Sequence, residues 1–475
     1  MNQRSRMIVL GLLALAQFMV VLDTSVANIA LPAIQKALGF DPSALQWVIT
    51  AYALTFGGTL LLGGRAADLF GRRRVLLTGI VGFTLTSLFI GFAQNPAELI
   101  ILRALQGMTA AFMSPSALSI VLTTFSEGKA RNMALGVWTA VAGGGAAAGM
   151  VIGGLLTEYV NWRWNFFINV PVGIIAIAGI LKFVPAHSST ATHRHLDLRG
   201  AALVTSGLMT LVYGLTEASS WGWLSVETIG FLAASATLLA GFIWNESRAP
   251  HPLMPLSIFK IRNVAGANAM MTPIMASMLG MFFLLSLYIQ TVMKYAPVQA
   301  GLAFLPFPAA LAIVSNIMPR LIPKYGYRRF LMLGSLFLGA GLLWLSQLSL
   351  ESSYVVGILP AVILMAIGMG MSFISINIAA TSGVPANEAG LASGMLNTSQ
   401  QMGGALGLAI LSGVATSVMQ GSAHLGPMGA LLNGDKRAFL TAALFAGVAF
   451  LIATFVIREQ KKPAQKLEAS PVTSH

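Results

Sequence analysis

Residues 64–76 form a short basic turn between two long apolar segments, and this turn constrains the fold more than any other feature. It reads GRAADLFGRRRVL and holds four arginines together with Asp68. An arginine at the centre of a membrane-spanning helix costs about 2.5–3.5 kcal/mol on insertion scales, so the turn has to lie in water. The sequence therefore predicts two spanning helices joined by a tight cytoplasmic loop. Because the arginines alone are sufficient for that topology, we expect Asp68 to have a separate role.

The composition supports a membrane protein and argues against other classes. The chain has 475 residues, of which 56% are hydrophobic and 9% charged, and its mean hydropathy is +0.78. Because soluble proteins contain about 25% charged residues, this chain cannot cover itself with polar surface. The net charge of +13 does not predict a nucleic-acid partner, since the basic residues recur in short loops. The absence of cysteine excludes disulfides and cysteine catalysis.

Apolar runs long enough to cross a bilayer recur along the whole sequence. A bilayer core takes about 20 residues of helix. The runs predict fourteen spans, numbered here in chain order. They start near residues 8, 45, 75, 98, 131, 164, 199, 225, 264, 298, 329, 354, 391 and 437.

The distribution of Lys and Arg predicts the orientation of the spans. Most of the 28 basic residues fall in loops on the side of the 64–76 turn. The opposite side holds only Lys36, Arg163, Lys294, Lys436 and Arg437, and Arg103 falls within a span. Because basic loops stay in the cytoplasm, we expect a multi-pass protein of the cytoplasmic or inner membrane with both termini inside.

A five-residue motif that follows the second span returns after the tenth. Residues 70–74 read FGRRR and residues 325–329 read YGYRR. Parallel six-helix repeats around a central cavity are a transporter architecture. We therefore predict an all-α polytopic membrane protein with two six-helix bundles at 1–184 and 263–457. A linker and two inserted helices are expected at 185–262, and a cytoplasmic tail at 458–475.

Two charged residues fall inside predicted spans. Asp23 lies about 24 Å from the cytoplasmic end of span 1, and Arg103 lies about 9 Å below the outer end of span 4. In a core about 30 Å thick both are in the outer third, so an ion pair is possible. Intramembrane charges of this kind mark functional sites or structural buried pairs, and both roles stay open. No acidic residue is expected deep in spans 9–14.

Span 5 is built from small residues, and span 13 carries amides. Gly145, Gly149 and Gly153 lie four residues apart, and such rows allow close helix packing. Polar amides in a span are tolerated where they line a wet cavity or bond across helices. We expect the substrate cavity to include Asn28, Tyr52, Gln290, Asn397, Gln400 and Gln401.

Several segments together resemble one transporter family. Residues 64–76 resemble the loop 2–3 signature of the major facilitator superfamily, and LIILRALQGMTAA at 99–111 resembles its span 4 motif. LDTSVANIALP at 22–32 resembles the span 1 motif of the fourteen-helix drug:proton antiporters in that superfamily. WRWNFFINVPVG at 162–173 is similar to the start of span 6 in the same family. The resemblance covers nearly the whole chain and implies the major facilitator fold.

The resemblance also implies roles for individual residues. Asp23 would be the proton-coupling carboxylate and Arg103 its partner. The loop 2–3 signature would control opening and closing, with Asp68 bridging the two halves and Arg72 and Arg131 as its neighbours in a charge relay. The remaining signature positions are Gly64, Gly71 and Arg73. The span 5 antiporter motif would comprise Gly145, Gly149, Gly153 and Gly154.

One position departs from the family pattern. The span 5 motif usually has a proline after its second glycine, and here Met150 stands in its place. The helix has either repacked in a straighter form or keeps the usual geometry through the flexibility of Gly149 and Gly153. We expect the second outcome, because both rows of small residues are intact.

The sequence thus predicts a transporter, not an enzyme, that exports hydrophobic and often cationic small molecules by proton-coupled alternating access. Its partners would be these substrates, protons and the lipid bilayer, with no cofactor beyond the proton gradient, no metal and no nucleic acid. A dedicated exporter of one metabolite or antibiotic is the alternative within transporters. A membrane-embedded enzyme would need a convergent catalytic set and a sensor would not need the gating loop, so both are disfavoured.

Overall fold

The protein is all-helical in a computed structural model that describes residues 3–125, 128–185, 197–250, 252–384 and 389–459. Within these ranges fourteen helical segments are long and apolar enough to cross a membrane. The predicted all-α multi-pass fold is confirmed. Most of the predicted linker, 186–196, and the tail beyond 459 lie outside the described residues.

Within the described residues, seven α-helices precede the predicted linker and nine follow it, and the sixth and seventh together make the sixth span. They are α1 (Gln3–Leu38), α2 (Trp47–Phe70), α3 (Arg72–Ile90), α4 (Pro96–Thr124), α5 (Lys129–Tyr159), α6 (Trp164–Phe167) and α7 (Asn169–Phe183).

Nine α-helices follow, of which α11 and α12 together make one span. They are α8 (Leu198–Trp221), α9 (Val226–Arg248), α10 (Arg262–Thr291), α11 (Pro297–Phe304), α12 (Pro306–Tyr325), α13 (Tyr327–Leu345), α14 (Leu359–Thr381), α15 (Ala389–Gly421) and α16 (Gly426–Phe455).

The helices fall into two groups that pack mainly within themselves. In the first group α1 packs on α5, α4 and α7, while α2 and α3 pack on α4. In the second group α10 packs on α15 and α16, and α13 packs on α14 and α16. The groups meet where α2 contacts α15 and where α5 contacts α11. The inserted helix α8 lies against both α2 and α15.

The repeated motif produces the same backbone turn in both groups. Gly71 ends α2 and begins α3 with a φ of +96°, and Gly326 does the same between α12 and α13 with a φ of +82°. Because only glycine adopts such angles freely, the glycine of each motif is what lets the chain reverse without a longer loop. We call the side with these two turns the basic face, and the opposite side the outer face.

The two groups are joined at the outer face by a set of contacts that we call the outer seam. It consists of Asn28 and Ile29 on α1, Ser286 and Gln290 on α10, Met150–Glu158 on α5, and Pro297–Gly301 on α11. Glu158 Oε2 accepts a hydrogen bond from the Val298 N–H at 3.0 Å. Ser286 Oγ donates to Asn28 O, and Gln290 Nε2 donates to Ile29 O, both at 3.1 Å.

Toward the basic face α5 separates from the second group. A Cβ built at Gly136, Gly143 or Gly144 would have no neighbouring atom within 4 Å, whereas one at Gly154 would lie 2.6 Å from Pro297 O. The two groups therefore touch along α5 at the outer face and leave α5 uncovered nearer the basic face.

The final span begins earlier than the sequence predicted. Its start was placed near residue 437 because Lys436 and Arg437 interrupt the apolar run, but α16 begins at Gly426. Asp435 consequently lies inside the helix and is 1% exposed. The expectation that spans 9–14 contain no deep acidic residue was wrong. The helix accommodates this triplet because Lys436 and Arg437 lie on more exposed faces than Asp435.

Close helix packing in the second group depends on Gly407. A Cβ at this position would lie 2.1 Å from Ala276 Cα on α10. We expect Gly407→Ala to destabilise the protein by about 1–3 kcal/mol through overpacking, which a lowered thermal unfolding midpoint in lipid nanodiscs would report. Gly447→Ala is the matched control, since its Cβ meets nothing within 4 Å. Equal midpoints for the two variants would show that α10 and α15 are not closely packed.

Candidate functional site

The two charged residues that the sequence placed at one depth are in direct contact. Arg103 Nη1 lies 2.5 Å from Asp23 Oδ2, and both side chains are fully buried. The pair joins α1 to α4 inside the first group of helices. Removing one partner of a buried pair leaves an uncompensated charge and costs about 3–5 kcal/mol, so the contact strongly constrains both helices.

The second oxygen of Asp23 is held by two amides. Gln106 Nε2 donates to Asp23 Oδ1 at 2.9 Å, and Asn169 Nδ2 donates to the same atom at 3.0 Å. The same two amides also donate to Ser87 Oγ, at 2.6 Å and 3.1 Å. The carboxylate is thus held by α1, α3, α4 and α7 at once. Sequence reasoning missed all three polar partners, although Gln106 follows Arg103 by three residues and so shares its helix face.

The guanidinium of Arg103 has partners besides Asp23. Its Nε donates to Val48 O at 2.8 Å, and its Nη1 donates to Gln106 Oε1 at 2.6 Å. The ring of Tyr52 lies 4.4 Å from its Cζ, close enough for a cation–π interaction. Arg103 therefore keeps compensating contacts when Asp23 becomes neutral. Tyr52, expected in the substrate cavity, is instead 1% exposed beneath this guanidinium.

The glycines of the span 5 motif fix the position of α1 at Asp23. A Cβ at Gly149 would lie 2.7 Å from Ser25 Cβ and 3.1 Å from Leu22 O, and one at Gly153 would lie 2.9 Å from Val26 Cα. Gly145 faces Phe18 and Val21 on the preceding turn of α1, at 3.2–3.5 Å. The motif therefore packs α5 directly against the turn that carries the buried carboxylate.

The last glycine of the motif contacts the second group of helices. Gly154 packs on Pro297 and Val298 of α11, and a Cβ at Gly301 would lie 2.2 Å from Met150 O. Helix α5 runs unbroken through Met150, the position where the family has proline. One helix therefore contacts both the Asp23 turn and the outer seam.

The loop 2–3 residues lie at the basic face. Asp68 pairs with Arg72 at 3.6 Å, and the Asp68 side chain is 57% exposed. Arg73 Nη2 donates to Leu181 O at 2.7 Å, which ties α3 to the end of α7. Arg131 Nε donates to Phe125 O at 3.3 Å. Gly64 lies next to Pro115, with 3.8 Å between its Cβ position and Pro115 Cβ.

The other expected cavity residues occupy two regions. Asn28 and Gln290 belong to the outer seam, where Asn28 Nδ2 also donates to Thr24 O at 3.0 Å. On α15, Asn397 is exposed and Gln400 and Gln401 are half-buried. Gln401 packs on α2, since its Cβ lies 2.8 Å from a Cβ built at Gly57. The structure thus does not gather all six residues around one space.

The sequence matches the family described as the Major Facilitator Superfamily over residues 13–408. The chain belongs to this superfamily. Solved structures agree on the fold: the peptide transporter POT in complex with sulfate has a TM-score of 0.69 at 16% identity, covering 94% of this chain and 93% of that one. The protein is therefore a multi-pass membrane transporter and not an enzyme, as predicted.

Two curated relatives of this chain are named for antibiotic resistance and export. The protein is 40% identical to the puromycin resistance protein of Streptomyces alboniger, over 93% of this chain and 88% of the relative. It is 38% identical to a cephamycin export protein of Amycolatopsis lactamdurans, over 96% and 94%. These relatives and the fourteen spans confirm the predicted efflux transporter of the fourteen-helix type.

The packing of α5 on α1 can be tested with Gly149→Val. The added side chain has to push away Ser25 and Leu22, which displaces the Asp23 turn, so we expect a loss of about 1–3 kcal/mol in stability and a marked fall in transport by the folded fraction. Gly143→Val is the control, because it places the same β-branched residue on α5 where nothing lies within 4 Å. Similar transport by the two variants would show that the glycine face does not position Asp23.

Proposed function

We propose that this transporter exports hydrophobic, often cationic small molecules from the cytoplasm in exchange for protons. The observation that carries the proposal is the buried Asp23–Arg103 pair with its amide partners. A carboxylate in a spanning helix is costly, and such groups commonly serve ion or proton movement. The resistance and export roles in the names of the two relatives support the substrate class.

The geometry gives Asp23 two alternative partners, the guanidinium and a proton. In the structure Asp23 is paired with Arg103, and in the proposed cycle this pair is the proton-free form of the site. Proton binding would remove the negative charge and leave Arg103 with Val48 O, Gln106 and the Tyr52 ring. The tie between α1 and α4 would then weaken. Because α5 packs on the Asp23 turn and on α11, this change can reach the outer seam.

In the proposed cycle the basic face lies in the cytoplasm, and so do both ends of the chain. Substrate enters from that side, the groups of helices rock about the central cavity, and the outer seam opens to release it. A proton from outside then loads Asp23 and favours the return. No cofactor is needed, since the proton gradient supplies the free energy.

A dedicated exporter of one metabolite or antibiotic is the second candidate, favoured by the relative named for cephamycin export. Both candidates use the same coupling site and differ in the breadth of the cavity. A panel of chemically unrelated dyes and antibiotics tested in one vesicle system separates them, because a dedicated exporter moves one chemical class only.

The coupling role predicts a specific pattern for Asp23→Asn in sealed vesicles. Substrate exchange between two equal pools needs no proton, so we expect it to persist. Accumulation against a gradient, driven by a pH difference, should be lost. Asp41→Asn is the control, because Asp41 is an exposed acid outside the spans. Uphill accumulation by Asp23→Asn at the control level would overturn the coupling role.

A further inference from the structure

Asp435 is a second buried carboxyl group, and the proposed cycle does not use it. It lies nine residues after the start of α16, about 13 Å along the helix from its outer end. The residue is 1% exposed, and its Oδ2 has no hydrogen-bond partner. Among the described residues, no donor or ion-pair partner contacts this side chain, in contrast to Asp23.

Lys436 and Arg437, the neighbouring cations on α16, lie on more exposed faces than Asp435, and among the described residues no ion pair joins Asp435 to a cation. Helix α15 packs on α16 and has no titratable residue along its length. The basic residues of α10 and α13 lie at the opposite face, where Arg262 donates to Phe455 O and Val456 O, and Arg328 to Ala453 O. His424, beyond the helix start, is exposed. The titratable residue near the outer end of α10, a helix that packs on α16, is Tyr288.

Burial without a partner determines the chemical form of this group. An isolated carboxylate in an apolar environment is so unfavourable that the group binds a proton instead. Asp435 is therefore accommodated here as the neutral acid. If the site becomes hydrated in another conformation, the carboxylate form becomes stable there, and the two conformations bind different numbers of protons.

The outer end of α10 connects Asp435 to the outer seam. Ser286 and Gln290 are four residues apart, so they share one helix face, and both donate to backbone carbonyls of α1. Tyr288, two residues from each, lies on the opposite face of α10. Its hydroxyl donates to Ser349 O at 2.6 Å, and α10 packs on α16. A movement of this helix end on seam opening therefore disturbs the packing around Asp435.

We propose that Asp435 is a proton-binding site on the outer side of the second group of helices, filled when the outer seam is closed and empty when it is open. Protons at the outer face thereby favour closure. The site is separate from Asp23 because it lies in the other group of helices and has no partner there. The proposal rests on the proposed alternating cycle but not on proton coupling through Asp23.

The lack of native cysteine allows a direct test of seam closure. Spin labels on cysteines introduced at Tyr159 and Leu302, which are 72% and 48% exposed near the Glu158–Val298 contact, report the opening as a distance. The protein carries Asp23→Asn throughout and is measured in nanodiscs over a pH series. We expect the closed fraction to rise as the pH falls, with the closed-to-open ratio changing by up to about tenfold per pH unit for one linked proton.

Four variants decide the origin of that response. Asp435→Asn should be closed at every pH, because it stays neutral, whereas Asp435→Glu should keep the pH response. Asp41→Asn should behave as the parent protein. A pH response that survives in Asp435→Asn overturns the proposal, as does a response removed by Glu158→Gln, since Glu158 itself lies in the seam.

Infrared spectroscopy supplies a readout that is independent of transport and of the labels. The wild-type protein should show the carbonyl band of a protonated carboxylic acid, which lies above the carboxylate bands, and Asp435→Asn should lack it. Identical spectra overturn the proposal. Because uphill transport by Asp23→Asn is measured separately, failure of the coupling role and failure of the Asp435 site give different results.

Discussion

The contact between Asp23 and Arg103 is the interaction on which the rest of the structure depends. Two charges removed from water are tolerated only when each is satisfied by the other and by further hydrogen bonds. Gln106 on α4 and Asn169 on α7 donate to the carboxylate, and Ser87 on α3 accepts from both amides. The first group of helices is therefore built around a polar centre that has to be rearranged whenever the charge of Asp23 changes.

The link between this centre and the seam runs through α5. Gly149 and Gly153 bring α5 against the Asp23 turn of α1, and Gly154 brings it against α11 of the other group. No intermediate side chains are needed where two backbones are in contact, and a rigid helix transmits a shift along its length. The position of Asp435 gives the second group a corresponding polar element near the same face, held without a partner. The first group of helices thus holds a paired carboxyl group, Asp23, and the second group holds one without a partner, Asp435, with the outer seam between the two groups.

The sequence was sufficient for the number of spans, for the repeat and for the meeting of Asp23 with Arg103. Those conclusions follow from bilayer thickness, from the rise of a helix and from the cost of charge in lipid. It was not sufficient for Asn169 and Ser87, because amides and hydroxyls occur in many spans and only the packing of α3 and α7 on α1 selects these two. Tyr52 was misplaced for the same reason, because the sequence does not show in which direction its ring points.

The expectation about Asp435 was wrong for a different reason. Three consecutive charged residues in a sequence are typical of a loop. In the structure they belong to a helix, which turns Asp435 inward and its two basic neighbours toward more exposed faces. The roles that the family resemblance implies for Asp68 and Arg131 stay predictions, because they concern a change between two conformations and the structure shows one.

The central claim, that Asp23 exchanges a proton for substrate, is tested most directly by counting protons during binding. Purified transporter in a weakly buffered detergent solution near neutral pH is mixed with a transported substrate, and the pH change is recorded. If Asp23 is the exchanging group, the wild-type protein releases protons on substrate binding and Asp23→Asn releases none, while both bind the substrate. Equal proton release by the two proteins would contradict this role of Asp23.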